Sequence, residues 1–316
     1  MKSIASAPGK VILFGEHFVV YGTKAILCAI NKRITATSQL LDDKKIRVSS
    51  KLGNAELDLG KSFDLNSVSP QFMKPFFYIA EKTLKEFNEN SGIEIVLDSE
   101  IPAGIGLGSS SAACVAVTAS VFGLFDKKPK KQILSKSIES ERTIFEEASG
   151  ADSSVSVFGG LMSYGKNGFE KIEAANNFSL IIANSNQIHS TEEVVSMVRE
   201  FKNENERMFF ELCKQENKIL DDALIALKKN NLTKLGSLMS KNQELLRKIN
   251  VSTEKLDLLI NEASKTSYGA KITGAGRGGC IISLVDQSNL SSTLENLKRN
   301  SDCFVAKIDF DGVRYL

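Results

Sequence analysis

No run of about 18 apolar residues occurs anywhere in this 316-residue chain, so no membrane-spanning helix is expected. The N-terminus, MKSIASAPGK, has no long apolar stretch before its first glycine and lysine, and so reads as no signal peptide. Cysteine is sparse. Cys28, Cys114, Cys213, Cys280 and Cys303 are scattered, odd in number and free of any C-x-x-C pair. That pattern argues against a zinc site and for reduced, buried thiols in a cytoplasmic protein. Neither sign of charge is in excess: 40 Lys and Arg against 38 Asp and Glu leave +2, which gives no footing to a nucleic-acid partner. Internal repeats and low-complexity tracts are also missing.

What is present is the composition of an ordinary globular protein, 42% apolar and 25% charged, long enough for one large domain or two. Residues 4–31 read as strands with a turn, and 33–60 alternate polar and apolar residues as further strands do. Residues 74–90 carry apolar residues at helical spacing and stop at Ser91-Gly92; GIEIVLDSEIP then reads as a strand. The apolar run 109–124 and the charged amphipathic stretch 130–147 predict helices, and another starts at 152–158. LMSYG, EKIEA and FSLIIAN read as strands, 191–264 as mainly helical, and KITGAGRGGCIISLV as strand–turn–strand. SSTLENLKRN predicts a helix and CFVAKIDF a final strand. The order is that of an α+β protein, with a boundary near residue 165.

Three glycine-rich segments differ in what surrounds them. GLMSYGKN at 160–167 nearly matches a phosphate-binding P-loop, but Asn167 stands where the metal-binding hydroxyl belongs and no helix follows. GAGRGG at 274–279 has the spacing of a dinucleotide fingerprint, yet it leads into the strand-like CIISLV rather than a helix. GIGLGSSSAA at 104–113 lies between a strand and a helix, where unpaired N–H groups and the positive end of the helix dipole favour an anion. Ser109, Ser110 and Ser111 there are good N-cap residues and candidate phosphate or metal ligands. On this segment alone, a phosphate cradle and a capped turn are evenly matched.

Other residues have plain explanations when taken singly. Lys10, after Pro8-Gly9, reads as a strand-end lysine with its head in water. His17, one of two histidines, reads as a half-buried ring, Glu141 as an exposed salt-bridging carboxylate, and Asp152 as a helix N-cap. Their joint order does not look like chance. APGKVILFGEHFVVYG, IPAGIGLGSSSAA and KITGAGRGGCIISL together resemble the three motifs of the GHMP kinases, the small-molecule kinases of galactose, homoserine, mevalonate and phosphomevalonate. The resemblance spans nearly the whole chain. Within the family, the G-E-H of the first motif and SGADSSVSVFGG at 149–160 are similar to the mevalonate kinase branch.

That resemblance implies an N-terminal domain like ribosomal protein S5 domain 2, over 1–165, and a ferredoxin-like C-terminal domain over 166–316. It implies ATP-dependent phosphorylation of (R)-mevalonate to 5-phosphomevalonate, with Mg²⁺. ATP phosphates would lie on Gly104, Ile105, Gly106, Leu107, Gly108, Ser109, Ser110 and Ser111. Ser110 and Glu141 would hold Mg²⁺, and Asp152 would face the attacking hydroxyl with Lys10 beside it. Glu16, His17, Gly274, Ala275 and Gly276 would border the acceptor. Mevalonate and ATP are then the partners, with neither nucleic acid nor membrane, and such relatives are often homodimers. The alternatives are another kinase of the family, acting on a different mevalonate hydroxyl or on phosphomevalonate, or a non-catalytic sensor on the same fold. A sensor would be expected to have lost Lys10, Ser110, Glu141 or Asp152, and all four are present. The chain departs from the pattern at Arg277, where the family often has Gly. It also departs at Ser185-Asn186, often Asp-Thr, and at His189-Ser-Thr-Glu192, often Arg-Ser-Thr-Lys.

Overall fold

The computed structural model describes residues 1–60, 63–102, 104–146, 148–174, 178–188 and 190–316. The first half of the chain contains β1 (Lys2–Phe14), β2 (Ala25–Leu41), β3 (Lys45–Ser50), β4 (Gly53–Asp58), α1 (Lys74–Glu86), β5 (Gly92–Ser99), α2 (Ser109–Phe122), α3 (Lys130–Glu141) and α4 (Ala151–Phe158). Next come β6 (Leu161–Gly165), β7 (Gly168–Ile172), β8 (Ser179–Asn184), α5 (Thr191–Glu204), α6 (Glu206–Lys228), α7 (Leu232–Lys248) and α8 (Glu254–Ser264). The chain closes with β9 (Gly269–Thr273), β10 (Cys280–Val285), α9 (Leu290–Lys298), β11 (Cys303–Ala306) and β12 (Arg314–Tyr315). Among the described residues, no helix is long and apolar enough to cross a membrane.

The strands form two sheets. The larger runs β12-β1-β2-β5-β3-β4, with the β6–β7 hairpin joined to β2. Long β2 serves two neighbours in succession: Ala25 to Cys28 pair with β6, and Ile34 to Leu41 pair with β5. The smaller sheet, β11-β8-β10-β9, is antiparallel throughout and takes its first strand at Ser179. Helix α2 is apolar on every side and buried from Ser111 to Phe122, packed on β1 and β2 and flanked by α1, α3 and α4. A helix without a polar face has no place but the core. Its Ala, Ser, Cys and Thr side chains are small enough for these neighbours to approach closely.

Two expectations need correction. The helix predicted over 130–147 ends at Glu141, whose carbonyl accepts from the amides of Ile144 and Phe145 as the chain turns away. The final strand predicted over CFVAKIDF covers only Cys303–Ala306. Beyond it the chain crosses back to the larger sheet, where Ile308 bridges Ile30 and β12 pairs with β1. This return is clamped by a buried ion pair between Arg33 and Asp309. The Arg33 guanidinium also donates to Ser6 Oγ, to the Ser6 carbonyl and to the Gly312 carbonyl, at 3.0, 3.0 and 2.6 Å. Asp309 Oδ1 in turn accepts from the amides of Asp311 and Gly312. Every charged atom in the clamp thus has a partner, as burial of ions requires.

Candidate active site

The glycines at 104, 106 and 108 all have positive φ, at 73°, 81° and 68°. Side chains disfavour that conformation, which lets the backbone turn tightly into α2. Gly108 has a second reason to be glycine: a Cβ there would lie 2.8 Å from Cγ of Lys10. Gly108, not a serine, occupies the N-cap, so the capping role expected of Ser109, Ser110 and Ser111 is not used. They form the first turn of the helix instead, and no side chain caps it. Its leading N–H groups are therefore left for a ligand or water.

The same holds at α4, whose cap is Gly150, again left-handed and without a side-chain cap. Asp152 lies within the first turn rather than at the cap. Both helix starts and Thr191, the first residue of α5, line one cleft of about 330 Å³ together with Glu141 and Phe145. The two uncapped helix starts, of α2 and α4, make the cleft a place for an anion.

Lys10 and Asp152 meet at this cleft. Lys10 Nζ lies 3.2 Å from Asp152 Oδ2, with the lysine side chain 6% exposed and the aspartate 37%. The Lys10 amide donates to the Leu107 carbonyl at 2.9 Å, which fixes the lysine to the glycine loop. Glu141 is buried rather than exposed as its helix pattern suggests. Its Oε1 accepts from Ser111 Oγ and its Oε2 from Ser153 Oγ at 2.6 Å. Burial pushes its carboxyl up; the two hydroxyls pull it partly back, and the Asp152 charge adds to the rise. No cation contributes to this balance among the described residues. Ser110 is exposed in the same cleft. A buried carboxylate without a counter-ion, beside an exposed hydroxyl and an anion site, suits Mg²⁺, which takes few protein oxygens and keeps phosphate and water.

Across the Lys10 strand lies the third motif. Thr273 Oγ1 accepts from the Ile12 amide at 2.9 Å and donates to the Ile12 carbonyl at 3.1 Å, so β9 is stitched to β1. Gly274 packs against Gly106, and His17 Nε2 lies 2.7 Å from the Ala275 carbonyl. A carbonyl only accepts, so Nε2 carries the ring proton and Nδ1 is left as an acceptor. Burial lowers the His17 pKa and keeps the ring neutral. Gly276 is held against the Val251 carbonyl, and the Arg277 amide donates to it at 2.7 Å. Arg277 has φ 57°, which explains why glycine would suit its place, and its side chain is exposed. The Ser185 amide donates to the Gly279 carbonyl at 2.8 Å, which brings that departure beside the motif. His189 lies outside the described residues.

Glu16 is brought to the same region but has no exposed side-chain surface. It forms a wholly buried ion pair with Lys271. Lys271 and Ser153 are site residues that sequence reasoning missed, while Ser111, expected among the phosphate ligands, donates to Glu141. Sequence reasoning also missed a second cleft of about 430 Å³ on the other side of the glycine loop, sharing Gly104, Ser109 and Ser110 with the first. Its walls are mostly apolar, with Leu52, Phe72, Phe76, Leu97 and Ile101.

Comparison with known proteins shows the family. The GHMP kinases N terminal domain model matches residues 75–160 and the GHMP kinases C terminal model residues 223–302. The mevalonate kinase of Pyrococcus furiosus is 34% identical, covering 90% of this chain and 89% of its own. That of Archaeoglobus fulgidus is 36% identical, covering 89% and 92%. The crystal structure of the Methanococcus jannaschii mevalonate kinase superposes with a TM-score of 0.87 at 30% identity, over 97% of this chain and 98% of that one.

Proposed function

Since this chain belongs to the GHMP kinases, and within them to the mevalonate kinases, we propose that it transfers the γ-phosphoryl group of ATP to the 5-hydroxyl of (R)-mevalonate. It is an ATP-dependent kinase, and its products are 5-phosphomevalonate and ADP. The observation that carries the reading is the Lys10–Asp152 pair, 3.2 Å apart at a cleft bordered by three helix starts.

The ATP phosphates lie on Gly104 to Ser111, where uncapped amides meet them. The base lies in the apolar cleft between Phe72 and Leu97. Asp152 accepts the acceptor hydroxyl, orients it and takes its proton late in the transfer. Lys10 stabilises negative charge gathering on the hydroxyl oxygen and the moving phosphoryl group. Such transfers depend mainly on positioning and electrostatics, and this pair provides both. His17, with Nδ1 free, and the Gly274–Gly276 backbone border the acceptor, while Glu16 supports that wall from behind. Ser110 and Glu141 are the residues that would hold Mg²⁺; when bound, the ion neutralises phosphate charge. Five free cysteines suit a reducing compartment, which supports the cytoplasm as the site of the reaction.

Ser110→Ala removes the one exposed hydroxyl of this pair. The magnesium concentration for half-maximal rate is expected to rise about tenfold, as for losing one charge-assisted contact of about 1.5 kcal/mol. An unchanged magnesium titration removes Ser110 from the metal site. The acceptor hydroxyl is read by phosphorus NMR after incubation with ATP, Mg²⁺ and mevalonate. A 5-phosphate is split into a triplet by its methylene protons. A 3-phosphate, on a tertiary carbon, gives a singlet and moves the reaction to the other hydroxyl. No ATP consumption overturns the reading.

A further inference from the structure

Helix α6 carries an acid where its pattern calls for an apolar residue. Phe209, Leu212, Ile219, Leu220 and Ala223 form its buried stripe, and Glu216 stands in the middle of it, fully buried. Glu216 Oε2 accepts from Asn242 Nδ2 of α7 at 2.6 Å. Among the described residues, its other oxygen, Oε1, has no hydrogen-bond partner, nor have Glu16 Oε2 and Asn242 Oδ1. These are three buried acceptors without a donor among the described residues, and of the two carboxylates here it is Glu16 that is paired with the Lys271 ammonium. Buried polar atoms are rarely left this way, and an unbalanced buried charge is costlier still. One proton on Glu216 removes the surplus charge and turns one of these acceptors into a donor.

We infer that Glu216 is a positioning residue that carries this proton, so that neutral Glu216 leaves Lys271 to Glu16 and keeps the Glu16–His17 segment in place behind the acceptor. The inference rests on the reading that this segment borders the acceptor. The surroundings agree. Burial pushes the Glu216 carboxyl up to about 7, with the Glu16 charge the next cause; Asn242, Lys271 and the Gly15 amide oppose it. The other titratable groups nearby are neutral: burial lowers the His17 ring and raises the Cys213 thiol on the same helix. Lys10, on β1, acts on Glu16 rather than on Glu216. Raising the pH ionises Glu216. A second carboxylate then competes for Lys271, Glu16 is repelled, and the acceptor wall loosens.

The test is the KM for mevalonate, at saturating ATP and Mg²⁺, from about pH 6 to about pH 9, in wild type and Glu216→Gln. Glutamine is neutral throughout and its amide donates where the acid O–H would. Wild-type KM is expected to rise about threefold or more over this range, while that of E216Q stays flat and kcat at the acid end is unchanged within about twofold. A purely structural role would shift E216Q by the same factor at every pH, and parallel profiles overturn the inference. Infrared difference spectra of the wild type and E216Q give a second reading that needs no turnover. A buried carboxylic C=O band that titrates near neutrality in the wild type and is lost in E216Q supports the proton, and its absence from the wild type overturns it. Should mevalonate not be phosphorylated at all, the functional reading fails while this band still decides the state of Glu216.

Discussion

Asp152→Asn is expected to lower turnover by about a thousandfold, in the middle of the range for loss of a positioned proton acceptor. The substitution keeps the shape of the side chain and its place in the first turn of α4. It removes the charge that faces Lys10 Nζ at 3.2 Å and the group that receives the hydroxyl proton. Nucleotide affinity is expected to change by less than about threefold, because the phosphate amides belong to the loop before α2 and not to this side chain. Steady-state ADP release gives kcat, and titration of the variant with nucleotide gives the affinity. Turnover within tenfold of wild type would place activation of the hydroxyl elsewhere. A matching loss of nucleotide affinity would make Asp152 part of the phosphate site.

The largest effect on stability is expected from Asp309→Ala. The aspartate side chain is 7% exposed and that of its partner Arg33 9%, so removing the carboxylate leaves a guanidinium buried without its counter-charge. The two amides of Asp311 and Gly312 lose their acceptor as well. Breaking one side of a buried pair costs about 3–5 kcal/mol, a large part of the roughly 5–15 kcal/mol that holds a domain folded. Urea unfolding measures it as a fall in midpoint. The double variant Arg33→Met with Asp309→Leu is expected to lose less than Asp309→Ala alone, because nothing charged remains to be buried. A loss below about 1 kcal/mol in the single variant would mean that water reaches the pair.

The sequence made the local elements of the site readable. A strand, three spaced glycines and an apolar helix run identify the loop at 104–111, and Gly150 before Asp152 marks another helix start. It did not separate Ser110 from Ser111. Helix α2 is apolar all round, so it has no preferred face to set the phase, and only its neighbours make Ser111 buried and Ser110 exposed. Glu141 looked exposed for a related reason. Its helix is charged along its length, and the burial comes from Ser111 and Ser153, 30 and 12 residues away. The overlong helix at 130–147 had no glycine or proline to stop it before Gly150. The Glu16–Lys271 pair joins residues 255 apart, beyond any local pattern. Glu216 did leave a signal: a carboxylate at the inward position of an otherwise regular amphipathic stripe.

The return of the chain end to the larger sheet sets a timetable for synthesis. Arg33 is made early and its partner Asp309 follows 276 residues later. At about 5–20 residues per second, that interval is roughly 15–55 s. Throughout it, β1 presents an open edge where β12 will pair, and Arg33 must stay hydrated. The larger sheet can collapse on α2 in this time, but it cannot close over the guanidinium. The half of the molecule that is made first is therefore the half that finishes last.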